Sequence, residues 1–106
     1  MTVEQEIDFF GELTQVLYET FSMKRRDYGQ TTTETFKLFG PVSMLTRMHD
    51  KLGRLDNLLG LGTSNCVDES VEDTLFDLAN YALITVLELR KVQMTMKKTV
   101  ACGNNC

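Results

Sequence analysis

The residues best equipped for chemistry sit in a stretch that carries no base. No Lys, Arg or His lies between Leu61 and Leu89, while Asp68, Glu69, Glu72, Asp73 and Asp77 crowd its first half. On a helix, at about 100° per residue, positions 69, 73, 77 and 80 fall within roughly a quarter-turn of one another. Glu69, Asp73, Asp77 and Asn80 then form one stripe, opposite a face of Val71, Leu75 and Leu78. Carboxylates one turn apart repel each other, so a set this dense calls for a cation. Mg²⁺ suits it, because that ion takes one or two carboxylates and completes its shell with water and ligand phosphates. Glu69, Glu72, Asp73 and Asp77 are the candidate metal ligands, with Asn80 and Tyr81 beside them. The competing reading is a solvated face. Against it, the stripe runs on into Ile84 and Leu87, which need cover.

A second set is cationic. Arg47, Asp50, Lys51, Arg54 and Asn57 share a polar helix face opposite a run of leucines. Asp50 and Arg54 are spaced as an ordinary i,i+4 pair, which is common and weak. The functional reading places phosphate oxygens on Lys51 and Arg54, with Asp50 nearby. Lys24, Asp27, Tyr28 and Gly29 form a third group at the end of an earlier helix. There Tyr28 can stack on a base or simply pack, and Gly29 reads as a helix cap. His49 has no cysteine near it in sequence. Cys102 and Cys106 lack the further ligands that zinc would require.

Three main helices must position these groups. The first runs over about residues 3–26, opened by a Thr2/Gln5 capping box, with Ile7, Phe10, Leu13, Leu17 and Phe21 on one face. Residues 30–39 read as a loop with one or two helical turns, because threonines are weak helix formers. Pro41 restarts the chain at a first helical position. The middle helix has Val42, Leu45, Met48, Leu52, Leu55 and Leu59 as its apolar face. The last begins near Asn65 or Asp68 and runs to about Met96, with Val71, Leu75, Leu78, Ala82, Val86 and Leu89 inward. The expectation is an all-α bundle in one domain over residues 1–96, with a tail over 97–106. From Ala82 to Leu89 the last helix is apolar on two sides, so the bundle is expected to be completed by a homo-oligomer.

Composition narrows the functional classes. A net charge of −4 argues against extended nucleic acid as a partner, which selects for basic surfaces. No segment is apolar for long enough to span a membrane, and the opening Met1-Thr2-Val3-Glu4-Gln5 does not read as a secretory signal. Three cysteines, two of them in the last five residues, make no disulfide framework, and the cytoplasm is the expected location.

Taken in order, three segments resemble a known family. They are Lys24-x-x-Asp27-Tyr28-Gly29, Asp50-Lys51-Leu52-x-Arg54-Leu55, and the run Asp68-Glu69-Ser70-Val71-Glu72-Asp73-Thr74-Leu75-x-Asp77-Leu78-Ala79-Asn80-Tyr81-Ala82. Over about residues 20–92 the chain is similar to the nucleotide modification-associated domain, common in bacteriophages and related to all-α, MazG-like nucleotide pyrophosphohydrolases. The resemblance implies an oligomeric, nucleotide-handling protein, in the host cytoplasm if phage-encoded. MazG-like enzymes hold Mg²⁺ with Glu-x-x-Glu on one helix and Glu-x-x-Asp on the next, and release pyrophosphate from a nucleoside triphosphate. Glu69-x-x-Glu72-Asp73 matches the second motif loosely. Where the first would stand, this chain has Asp50-Lys51-x-x-Arg54, exchanging two metal-binding carboxylates for two cations. The expected function is nucleotide handling, with a helical protein-interaction module, under which the three motifs would be coincidence, as the alternative; three forms are weighed. One is a Mg²⁺-dependent pyrophosphohydrolase. Another is a non-catalytic sponge for a nucleotide or cyclic-nucleotide signal. The third is a helical protein-interaction module.

Overall fold

The computed structural model describes residues 1–60 and 69–99, with the backbone alone at 28, 69, 70 and 97–99. The fold is all-α, and the described residues contain no strand. None of the described helices is long and apolar enough to cross a membrane. The expected cap at Asn65 or Asp68, and Cys102 and Cys106, lie outside the described residues.

Helix α1 spans Val3–Tyr28. It starts at Thr2 because two end groups satisfy each other. Gln5 N donates to Thr2 Oγ1 at 3.1 Å, and Thr2 N donates to Gln5 Oε1 at 2.8 Å. It stops at Gly29, whose φ of 68° suits a residue without Cβ and whose N–H donates to the Arg25 carbonyl at 2.9 Å. The segment 30–39, expected as a loop with one or two helical turns, is a continuous helix, α2, over Thr31–Phe39. Thr33 and Phe36, one turn apart, are both buried, and that burial overrides the threonines' modest propensity. Phe39, at the end of the helix, is exposed.

Gly40, at φ 74°, separates α2 from the next helix. Its N–H donates to the Phe36 carbonyl at 2.7 Å, and its own carbonyl accepts from Ser43 Oγ at 2.7 Å. Pro41 then leads into α3, Val42–Leu55, which loosens into a π-helical turn over Asp56–Gly60. The last helix, α4, covers Glu69–Thr99. Its 31 residues make a rod of about 46 Å, roughly twice the length of α3.

The chain divides into two units, Met1–Thr32 and Thr33–Cys106. In the first, Ile7, Phe10 and Leu13 of α1 are exposed, while Leu17 and Phe21 are half-buried. In the second, Phe36, Met44, Leu55 and Val71 are the buried apolar side chains, and Met44 is fully enclosed. The expected core faces are largely turned outward. Val42, Leu45, Leu52 and Leu59 of the middle segment are exposed, as are Leu75, Ala82, Val86 and Leu89 of α4. Periodicity finds an apolar stripe, but it does not say which neighbour covers it. Here α3 turns its polar face to α4.

One buried polar group fastens α2 to α4. Glu88 is 2 % exposed. Thr33 Oγ1 donates to its Oε2 at 2.7 Å, and Lys91 Nζ reaches the same oxygen at 3.2 Å and Thr33 Oγ1 at 3.0 Å. Removing one member of such a set strands the others. Glu88→Ala should cost about 3 kcal/mol, because the Lys91 ammonium and Thr33 hydroxyl lose their shared acceptor. In thermal unfolding at fixed concentration, the midpoint should fall by on the order of 10 °C. A shift of only a few degrees would mean that this set does not anchor α2.

Candidate functional site

Three polar pairs join α3 to α4. Arg47 lies over the Tyr81 ring, 5.8 Å from its centroid. Lys51 Nζ is 3.0 Å from Asp77 Oδ2. Arg54 Nε donates to Thr74 Oγ1 at 3.1 Å. Going along α3 the steps are four and then three residues; going back along α4 from Tyr81 they are again four and then three. Residues at these spacings share one helix face. The pairs therefore form a ladder of three rungs between antiparallel helices, one helical turn apart.

The rungs differ in burial. Thr74 is 3 % exposed, whereas the Lys51 and Asp77 side chains each keep about a third or less of their surface in water, at 28 % and 33 %. Arg54 and Arg47 are exposed. An ion pair this open is worth at most about 1 kcal/mol. A hydrogen bond from a guanidinium is worth about 1.5–3 kcal/mol, and a cation–π contact at an open site about 0.5–1 kcal/mol. The ladder sets register without locking the cations away from solvent. Chemically, it offers two positive side chains one turn apart on a half-open surface.

The residues singled out from sequence are distributed unevenly. Lys51, Arg54, Asp77 and Tyr81 meet in the ladder, and Asn80 is half-buried beside Tyr81. Asp50, spaced as an i,i+4 partner for Arg54, is exposed, and Arg54 is held by Thr74. Lys24 and Asp27 are exposed on the last turns of α1, within the first unit. The side chains of Tyr28 and Glu69 lie outside the described residues.

For a metal, the described residues offer a partial donor set. Glu72 and Asp73 are exposed, and Asp77 is held by Lys51. Among the described residues, no three of His, Cys, Asp and Glu gather as a metal-holding group. Such a set could serve Mg²⁺ only where ligand phosphates and water complete the shell, since that ion asks for one or two carboxylates.

Sequence reasoning missed Thr74, Glu88, Thr33 and Lys91. A signal was present: Val71, Thr74, Leu78, Tyr81, Thr85 and Glu88 recur at three- and four-residue steps. That series mixes polar with apolar residues, so a search for hydrophobic periodicity passed over it. A lone acid inside the apolar run Ala82–Leu89 was a second hint.

Residues 24–89, more than half of the chain, match the family model described as Nucleotide modification associated domain 1. The match takes in the end of α1, all of α2 and α3, and α4 as far as Leu89, and so every rung of the ladder. No curated protein and no solved structure matches the chain. On the extent of that match, with the all-α fold beneath it, the chain belongs to the Nucleotide modification associated domain 1 family.

Proposed function

We propose that this chain binds a nucleotide through its phosphates, with Lys51 and Arg54 as the anion contacts. The observation that carries the reading is the ladder: two cations, one turn apart and half-open to water, are held in fixed register by acceptors on α4. A phosphate oxygen is a better acceptor for an ammonium or guanidinium than a threonine hydroxyl or a screened carboxylate. Lys51 can therefore exchange Asp77 for a phosphate oxygen, and Arg54 has further N–H donors beyond the one on Thr74. Asn80 and Tyr81 border the same face and are the groups nearest a nucleobase or sugar in this reading.

Mg²⁺ belongs to the proposal as a companion of the nucleotide. Asp73, with Glu72 or Glu69, would hold it, and when bound it would neutralise phosphate charge and polarise a water. The chain's own residues do the rest: Lys51 and Arg54 orient the phosphates, and Asp77 keeps Lys51 in place when no anion is present. Capture, as by a sponge for a nucleotide or cyclic-nucleotide signal, is the reading the cations favour. A nucleotide pyrophosphohydrolase is the second, favoured by the exposure of Glu72 and Asp73 on the turn before Asp77.

Calorimetric titration with a nucleotide panel, with and without EDTA, tests the reading when the nucleotide is recovered and identified afterwards. Arg54→Ala should weaken binding by about 2 kcal/mol, the loss of a charge-assisted contact. Unchanged binding would remove Arg54 from the site and the proposal with it. For capture, an intact nucleotide should come back from a complex that partly survives EDTA. Stoichiometric pyrophosphate release, stopped by EDTA, would establish the enzyme instead.

Asp73→Asn separates the roles of metal and cations. It should abolish the Mg²⁺-dependent share of binding or turnover while leaving helix content by circular dichroism unchanged. A variant indistinguishable from wild type towards every nucleotide would leave the acidic stripe as a solvated face.

We also propose that the functional form is a homo-oligomer. Leu83, Val86, Leu87 and Leu89 of α4 are exposed together with Val42, Leu45 and Leu52 of α3, large apolar side chains that a further copy could cover. Light scattering at micromolar concentration should give a mass of at least twice the 12.1 kDa of the chain. A monomer throughout would overturn this part.

A further inference from the structure

The innermost rung of the ladder combines a buried neutral residue with an exposed charged one. Thr74 is 3 % exposed and enclosed by its surroundings, while Arg54 reaches the surface. The bond between them uses one particular nitrogen: Nε donates to Thr74 Oγ1 at 3.1 Å. A guanidinium is planar, with five N–H donors in a fixed fork. Once Nε is tied and the side-chain stem is fixed to α3, the plane of the fork is set. The two terminal nitrogens remain as a parallel pair of donors, the geometry that takes two oxygens of one phosphate.

We propose that Thr74 is a positioning residue: it anchors Arg54 through Nε so that the terminal nitrogens form a preset bidentate fork for phosphate. The inference rests on the reading of Arg54 as a phosphate contact and goes beyond it by naming what orients that contact. Lys51, one turn away and about 4.5 Å along the helix axis, is the next positive charge in line. A fork followed by a point charge suits a chain of phosphates better than a single one. The ligand class is therefore a nucleoside diphosphate or triphosphate, with inorganic pyrophosphate as its minimal mimic.

Three features of the rung support this. Thr74 carries no charge, so it holds Arg54 without neutralising it, whereas Asp77 partly offsets Lys51. Its burial makes it a fixed reference, while an exposed acceptor would swing with the arginine. Lysine could not substitute for Arg54, because its donors share one tetrahedral nitrogen, so an anchoring bond leaves no planar pair of nitrogens for a phosphate.

The test measures affinity for ATP and for inorganic pyrophosphate by calorimetry, across substitutions that separate anchoring from folding. Thr74→Val keeps the shape and removes the acceptor. It should weaken both probes about three- to tenfold, the cost of ordering one long side chain that is no longer held. Thr74→Ser restores the acceptor and should bind within about twofold of wild type. In an Arg54→Ala background, Thr74→Val should cause no further loss, because a positioning residue acts only through the group it positions. Equal binding by Thr74→Val and wild type would overturn the inference, as would a Thr74→Val loss that persists undiminished without Arg54. If Arg54→Ala alone changes nothing, the phosphate reading itself fails; if Arg54→Ala weakens binding and Thr74→Val does not, only the anchoring fails. Should Thr74→Val not fold, the Arg54 Nε–H resonance in ¹⁵N-labelled wild-type protein decides. A resolved signal protected from solvent exchange, without ligand, is expected; an exchange-averaged signal like that of free arginine would overturn the proposal.

Discussion

The constraint on which the second unit depends is the register between α3 and α4, and polar pairs set it. Arg47, Lys51 and Arg54 must stand opposite Tyr81, Asp77 and Thr74 in turn. Sliding one helix by a turn would leave Thr74 and Met44, both buried, without their present neighbours, and would move two cations off their acceptors. Leucine packing is tolerant of small shifts because dispersion is non-directional. Hydrogen bonds and ion pairs are not, so three weak directional contacts in phase specify a register that a smooth apolar seam would leave open.

The choice of a polar seam has a consequence for the rest of the surface. A helix has only one circumference, and a face shared with cations has less room to bury leucines. Leu45 and Leu52 of α3 and much of the apolar face of α4 are therefore exposed in the single chain, as are Ile7 and Phe10 of α1. Four buried apolar side chains in the described residues make a small core for a chain of 106 residues. Burial of the remaining apolar faces by further copies is the physical basis for proposing an oligomer.

The same economy bears on function. A cation held by an acceptor keeps its charge and loses its conformational freedom, so the entropic cost of ordering it is met before an anion arrives. Glu88, by contrast, is fully enclosed and shared between Thr33 and Lys91, and its role is to fasten α2. Two kinds of polar contact thus coexist on α4. One is closed and structural, towards the C-terminal half. The other is half-open, towards the N-terminal half, and is where we propose that phosphate binds.

The sequence by itself determined the helices and much of their punctuation. Thr2 with Gln5, Gly29 and Pro41 act within a few residues of themselves, and local hydrogen bonding and φ preference are properties of short segments. It also brought forward Lys51, Arg54, Asp77 and Tyr81, because charge spacing on a helix face is legible without knowing the partner. What only the tertiary structure decided is which face turns inward. Apolar periodicity pointed to Leu55 and Val71, which are buried, but also to Leu45, Leu52, Leu75 and Leu89, which are exposed, and the packed face further carries Met44, Thr74 and Glu88. The α2 helix was decided in the same way, by burial of Thr33 and Phe36 over local threonine preference. The reason is that a stripe is a property of one helix, while burial is a property of two. Thr74 and Glu88 meet Arg54 and Thr33, 20 and 55 positions away in sequence, only once the helices pack.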